Sequence, residues 1–290
     1  MIDLQWAEHV SLARAIRRAA PEAVIVGTFH DVLSQLYRRR AERRHGLARW
    51  LNFASAWTSD VRDRRAIAAL DVVVALNDKD AALLRSLGAR DVVTLDPPLA
   101  SNLTPRSPDV LPSPIVSMVA YFAREVNVEA AFWLADEVWP AVLAAVPDAS
   151  LRFVGADPSN ALEELRARAG MEVVGFVDDL HAVYEDSAVV AVPLLLGSGV
   201  KFKTVEGIVA GVPTVSTTVG AEGIRSELLA AIADEPADFA NAIVEVLEDL
   251  PTAQAAALDR AARARARYSA GRFRERIAVI YGVPARGRMC

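Results

Sequence analysis

Short runs of Val, Ile, Leu and Ala alternate along the chain with longer stretches whose apolar residues recur every three or four positions. This is the pattern of strands alternating with helices in a parallel α/β arrangement. In the first half the runs predict strands over 2–6, 23–29, 71–76 and 91–95. Helical spacing fills 7–20, 78–87 and 32–70, the last broken near His45-Gly46. The second half repeats the alternation, with strands over 115–120, 151–154, 172–174, 189–192 and 214–216. Helices are predicted between them at 127–145, 159–169, 179–186, 200–210 and 237–249. Two further helical stretches, 253–267 and 272–281, form an arginine-rich tail with no strand after them, so they must pack on structure already formed.

From Asp96-Pro-Pro98 to Pro114 the chain is dense in Pro, Ser, Asn and Asp, a linker composition. The expected organisation is a first domain over 1–110, a second over 111–265 and a crossover tail over 266–290. With 290 residues, 53% apolar and 24% charged, the chain can bury two ordinary cores. One cysteine, Cys290, excludes a disulfide framework within the chain. No basic leader and no membrane-spanning run is read, and a cytoplasmic protein is expected. Residues 1–110 hold 16 Lys and Arg against 13 Asp and Glu, leaving 16 against 24 for the remainder, so the basic partner surface belongs to the first half.

The most informative segment follows the buried run Val189-Val-Ala-Val-Pro193. There Gly197-Ser-Gly199 turns into a helix beginning near Val200 and ending at Gly211 and Pro213. Such a helix turns free backbone N–H groups toward the carboxyl edge of the sheet, a site for phosphate. Lys203 sits in the first turn to neutralise its charge. Glu206, three residues on and on the same face, suits the paired hydroxyls of a ribose. Phosphate with ribose reads as a nucleotide; the plain alternative is a surface lysine and glutamate on an ordinary helix. Phe202 stands where a Walker loop or a dinucleotide fingerprint needs glycine, so kinase, ATPase and dehydrogenase readings fit worse.

Gly197-Ser-Gly-Val-Lys-Phe-Lys203, Glu206, Ala210-Gly-Val-Pro213 and Val219-Gly-Ala-Glu-Gly-Ile224 resemble, in order and spacing, the donor segment of GT-B glycosyltransferases, within them the retaining group called family 4. Asn127-Val-Glu-Ala-Ala131, Glu137-Val-Trp-Pro140, Pro147 to Gly155 and Gly175-Phe-Val-Asp-Asp179 are similar to the opening of that family's second domain. The resemblance implies two Rossmann-like domains, the first incomplete here, with the C-terminal helix packing back toward the first. It implies transfer, with retention, from an NDP-sugar held by the second domain to an acceptor on the first. The acceptor would be a glycan, a lipid-linked molecule or a small molecule.

Carried over by position, Lys203 contacts the diphosphate, Gly199 and Val200 line it, and Glu206 holds the ribose. Phe176 and Val177 flank the base, and Glu222 and Gly223 meet sugar or phosphate. His30, in Gly27-Thr-Phe-His-Asp31, resembles the family's strand-end histidine. His30 and Lys203 are the expected catalytic residues, with electrostatic stabilisation of the leaving diphosphate as the main effect and no metal or cofactor required by the motif.

The chain departs from the family at Ser198, where a glutamate is common, at Ala120 for glycine and at Leu195 for arginine. Its first strand resembles one that in relatives follows a glycine-rich turn. A catalytically impaired nucleotide-sugar-binding or accessory protein is therefore the alternative; an NDP-sugar epimerase of the same architecture matches the segments less well. Arg38, Arg39, Arg40, Arg43 and Arg44 precede Trp50, Phe53 and Trp57. The ordinary reading is a solvated basic face with tryptophans turned to the core; the resemblance also implies peripheral contact with an anionic membrane. Nucleic-acid binding does not fit the overall acidity.

Overall fold

The computed structural model describes residues 1–99, 103–109 and 111–282; linker residues 100–102 and 110 and residues 283–290 of the predicted tail, with Cys290, lie outside them. It separates into two compact units. The first holds Met1–Pro98, Ser198–Val200 and the segment from Tyr268; the second holds Leu99–Gly197 and Lys201–Arg267.

The first unit is built on four parallel strands, β1 (Ile2–Gln5), β2 (Ile25–Phe29), β3 (Val72–Ala75) and β4 (Val92–Thr94), in that spatial order. Strand side chains alternate between faces, and the two faces are covered differently. Ile25, Phe29, Val73 and Ala75 pack with Val10, Ala13, Ile67 and Leu84 of the connecting helices. Val26, Val74 and Leu95 meet Phe273, Ile277 and Ile280 from the last helix, Ala270–Ile280, and its C-cap Tyr281. The tail thus completes the first unit, its Tyr281 hydroxyl donating to the Asp3 carboxylate at 2.5 Å. The helix predicted over 7–20 is two helices, Trp6–Val10 and Ala13–Ala19, and the break near His45-Gly46 separates Leu33–Arg43 from Gly46–Ile67.

The second unit is a six-stranded parallel sheet with β5 (Ile115–Val119), β6 (Ser150–Val154), β7 (Met171–Gly175), β8 (Val189–Val192), β9 (Thr214–Ser216) and β10 (Ala231–Ile232). The spatial order is β10-β9-β8-β5-β6-β7. The sequence reading lacks β10, which has two residues and is too short for a periodicity to register. The stretch predicted over 127–145 is Glu125–Trp133, a wide π turn over Leu134–Val138, and Trp139–Ala145. Pro140, lacking an N–H, sits where the wide turn ends. The helix predicted over 159–169 reduces to a 3₁₀ segment, Glu163–Ala167. The Asp157 carboxylate accepts from the N–H groups of Ala161 and Leu162 before it, satisfying them outside a regular helix.

The chain winds outward from β5 in one direction through β6 and β7, and in the other through β8, β9 and β10. Such a reversal leaves a crevice at the carboxyl ends of the two central strands, where open α/β sheets bind ligands. The segments that leave there are Ala120–Arg124 and Pro193–Gly197. Backbone approach at this edge is close: a Cβ on Gly155, whose φ is +133°, would lie 1.8 Å from the Ala120 carbonyl oxygen.

Candidate donor site at the strand reversal

The helix that follows β8 begins at Phe202, two residues later than the sequence suggests, and runs to Val209. Lys201 is its N-cap in extended conformation, and no side chain caps the end. Its first-turn N–H groups therefore carry the partial positive charge of an uncapped helix start. Thr204 fixes the helix sideways, its hydroxyl donating to the Gly220 carbonyl at 2.9 Å, which ties it to the segment after β9.

Three cations converge there. Lys203 Nζ donates to Asn127 Oδ1 at 3.2 Å, and Asn127 Nδ2 donates in turn to the Tyr121 carbonyl at 2.7 Å. The segments leaving β5 and β8 are thereby joined through one amide. Burial, reinforced by Arg124 and Lys201, brings the Lys203 ammonium down to about 8, against a weaker pull upward from Glu206. Lys201 is itself buried and lies 3.9 Å from Glu222 Oε2. For Lys203, a half-buried cation with one neutral acceptor and two cationic neighbours is costly unless an anion arrives.

Glu206 sits one turn beyond Lys203. Burial raises its carboxyl above the ordinary range, while the Tyr184 hydroxyl, donating at 3.3 Å, and the Lys203 charge hold it down. Tyr184 is fully buried, and its backbone carbonyl accepts from the Arg106 guanidinium, as does that of Ser187. Arg106 is buried and lowered to about 10 by that burial.

The other expected donor residues of this unit fall into two groups. Glu222 is buried against Lys201, and Gly223, with φ of +76°, follows it in the turn after β9. Phe176 and Val177 follow β7, Phe176 with 72% of its surface exposed. Lys203, Glu206, Glu222 and Gly223 thus belong to segments leaving β8 and β9, and the exposed Phe176 to the far edge of the same sheet. The sequence reading gave no role to Arg124, Asn127, Tyr184 or Lys201. Arg124 and Asn127 carried one available signal, polar residues just after the buried run that forms β5.

In the first unit, His30 directly follows the last residue of β2, at the strand's carboxyl end. Its Nε2 lies 3.0 Å from Gln5 Oε1, and the Gln5 amide nitrogen donates to Asp3 Oδ2 and Thr28 Oγ1. With the amide so oriented, His30 Nε2 is the donor. Burial lowers the imidazole, opposed by Asp31 and Asp3, which favours the neutral ring. Gly199 groups with this unit: its φ is +70°, and a Cβ there would lie 2.6 Å from the His30 carbonyl oxygen, so both conformation and space call for glycine. Val200 follows it, half-buried. Among the described residues no group of three His, Cys, Asp or Glu is placed to hold a metal ion, and no helix is long and apolar enough to cross a membrane.

The Arg38 to Arg44 surface and its tryptophans correct an expectation. Trp50 and Trp57 are 70% and 67% exposed, with Leu47 and Leu51 also exposed beside them. The helix Gly46–Ile67 turns Ala56, Ser59, Asp63, Ala66 and Ile67 inward, so small residues face the core and the large aromatics face out.

Residues 113–249 match the model of the family described as glycosyl transferases group 1. An uncharacterized protein of the cps region of Klebsiella pneumoniae is 27% identical over 105 residues, which cover 33% of this chain and only 27% of that relative. Among solved structures, sucrose-phosphate synthase from Thermosynechococcus elongatus shares 18% identity, with 97% of this chain and 71% of that one aligned at a TM-score of 0.67. HepE from Anabaena in complex with UDP shares 15%, covering 97% and 78%, with a TM-score of 0.71. The pneumococcal O-GlcNAc transferase GtfA in complex with UDP and GlcNAc shares 13%, covering 93% and 54%, at 0.64. The chain therefore has the GT-B fold of two Rossmann-like domains, and its residues 113–249 match the model of the glycosyl transferases group 1 family.

Proposed function

We propose that this protein is a glycosyltransferase that takes a sugar from an NDP-sugar held at the reversal point of the second sheet. The observation that carries the reading is Lys203, a half-buried lysine beside Arg124 and Lys201 at an uncapped helix start, followed one turn later by Glu206. The cations and first-turn N–H groups match a diphosphate, and the carboxylate matches a ribose. Lys203 then stabilises the departing diphosphate, the charge that grows in the transition state, and transfer proceeds with retention. His30 serves on the acceptor side; Gly199 and Val200 line the diphosphate, Phe176 and Val177 the base, Glu222 and Gly223 the sugar or phosphate. Neutralisation of the diphosphate falls to Lys203 rather than to a metal, so binding should survive EDTA. Calorimetry with UDP, GDP, ADP and dTDP tests the reading; no affinity for any of them overturns it. Binding without turnover of the matching NDP-sugar would instead mark an accessory protein.

The acceptor partner reads as membrane-associated, and the specific support is the exposed stripe Leu47, Trp50, Leu51 and Trp57 next to Arg43, Arg44 and Arg49. Apolar and aromatic side chains flanked by arginine suit the interface of an anionic bilayer. The protein should sediment with vesicles containing phosphatidylglycerol and stay in the supernatant with phosphatidylcholine alone. Trp50→Ser with Trp57→Ser should abolish sedimentation; retention of the double variant on the vesicles would refute the contact.

A further inference from the structure

One strained residue in the first unit has no part in the nucleotide site. Trp6, directly after β1, has φ of +72°, a left-handed conformation that is unfavourable for a bulky residue. What that conformation achieves is a stack: the indole lies parallel to the His30 imidazole, ring centroids 3.9 Å apart and planes within 8°. One indole face is therefore spent on His30, yet 52% of Trp6 remains exposed. The residues under the pair hold it rigidly. Gln5 joins His30, Thr28 and Asp3 by side-chain hydrogen bonds, so the imidazole cannot turn away from the indole without breaking the bond to Gln5.

We propose that Trp6, stacked on His30, is a platform for a saccharide ring, the acceptor side of the transfer; this rests on the glycosyltransferase reading above. The surroundings select the ligand class. A lipid chain or an apolar peptide would want further apolar surface, but the side chains bonded to the pair are polar: Gln5, and through it Asp3 and the buried Thr28. A sugar ring presents one flat C–H face for an aromatic and a rim of hydroxyls for such polar groups. An aromatic plane flanked by a few fixed polar groups is the composition of a small-molecule subsite. The strain at Trp6 has the same sense: it turns the side chain away from the continuation of β1 and lays it across the end of β2.

Saturation-transfer NMR with methyl glucosides, galactosides, mannosides and N-acetylglucosaminides, in the presence of the nucleotide that binds best, tests the platform. At least one glycoside should receive magnetisation from the native protein. Trp6→Gly, which suits the positive φ and removes the ring, should unfold cooperatively like the native protein and lose the transfer. Trp6→Phe should keep a weaker signal. Transfer undiminished in Trp6→Gly, or no transfer to any glycoside from native protein that binds nucleotide, overturns the proposal. Calorimetric nucleotide binding is read separately on the same samples: its absence from the native chain sinks the glycosyltransferase reading, and its persistence in Trp6→Gly shows that loss of the glycoside signal belongs to the platform.

Discussion

Replacing Lys203 by methionine should weaken nucleotide binding about 10- to 150-fold while raising the melting temperature of the free protein. The first effect is the loss of a charged hydrogen bond to phosphate, ~1.5–3 kcal/mol. The second follows from what the lysine costs without a ligand. Burial and the nearby Arg124 and Lys201 bring it to about 8, and one neutral acceptor, Asn127, does not compensate. Holding the ammonium there at neutral pH costs on the order of 3 kcal/mol. Methionine keeps the length and apolar contacts of the stem without the charge, and each kcal/mol regained should raise Tm by ~2–4 °C. The sign with pH is fixed as well. Between about 8 and the ordinary lysine value, the unfolded chain holds a proton that the native chain has released, so native stability rises with pH across that window. The methionine variant should lack this rise. A variant that binds nucleotide as tightly as the native protein would remove Lys203 from the site.

The trade between stability and binding also explains which parts of the site could be read from residues alone. The β8 run, the two glycines and the Lys203/Glu206 spacing are local, because strand, turn and helix start follow one another within a short stretch. Strand β8 and the approximate helix start were therefore legible, and the late start at Phe202 shifts the helix without moving Lys203 out of its first turn. Arg124 and Asn127 are not legible, since their roles depend on β5 lying beside β8, and Tyr184 is not, since its bond to Glu206 joins the helices before and after β8; no periodicity encodes either. For Trp50 and Trp57 the ordinary expectation is the core, where large aromatics usually go, with an anionic membrane as the other reading. The helix inverts the rule by burying Ala56, Ser59 and Ala66 instead. His30 was legible by topology, as a residue following a buried run, but Trp6 was read only as the end of a strand. Its positive φ accompanies the stack on His30, a partner distant in sequence.

Affinity for the NDP-sugar should pass through a maximum with pH, and Tyr184→Phe should move only the acid limb. An NDP-sugar is the right probe, because its diphosphate is esterified at both ends and stays ionised across the range. The alkaline limb belongs to Lys203: phosphate needs the ammonium, whose proton leaves as pH rises through about 8. The acid limb belongs to Glu206. As a carboxylate it accepts from both ribose hydroxyls, and protonation turns one oxygen into a donor. Burial raises this carboxyl, so the loss on acidification begins at a higher pH than for an exposed glutamate. The Tyr184 hydroxyl stabilises the ionised form, and phenylalanine fills nearly the same buried volume without it. The carboxyl should then rise further, carrying the acid limb upward while the alkaline limb stays in place. Inorganic tripolyphosphate, which has no ribose, should bind with an alkaline limb of the same position in native and Tyr184→Phe proteins. Calorimetric titrations across pH decide it: coincident acid limbs for native and Tyr184→Phe proteins with the NDP-sugar would show that Glu206 does not hold the ribose through its charge, whereas a displaced acid limb alone assigns the carboxylate and its tyrosine to the sugar of the nucleotide.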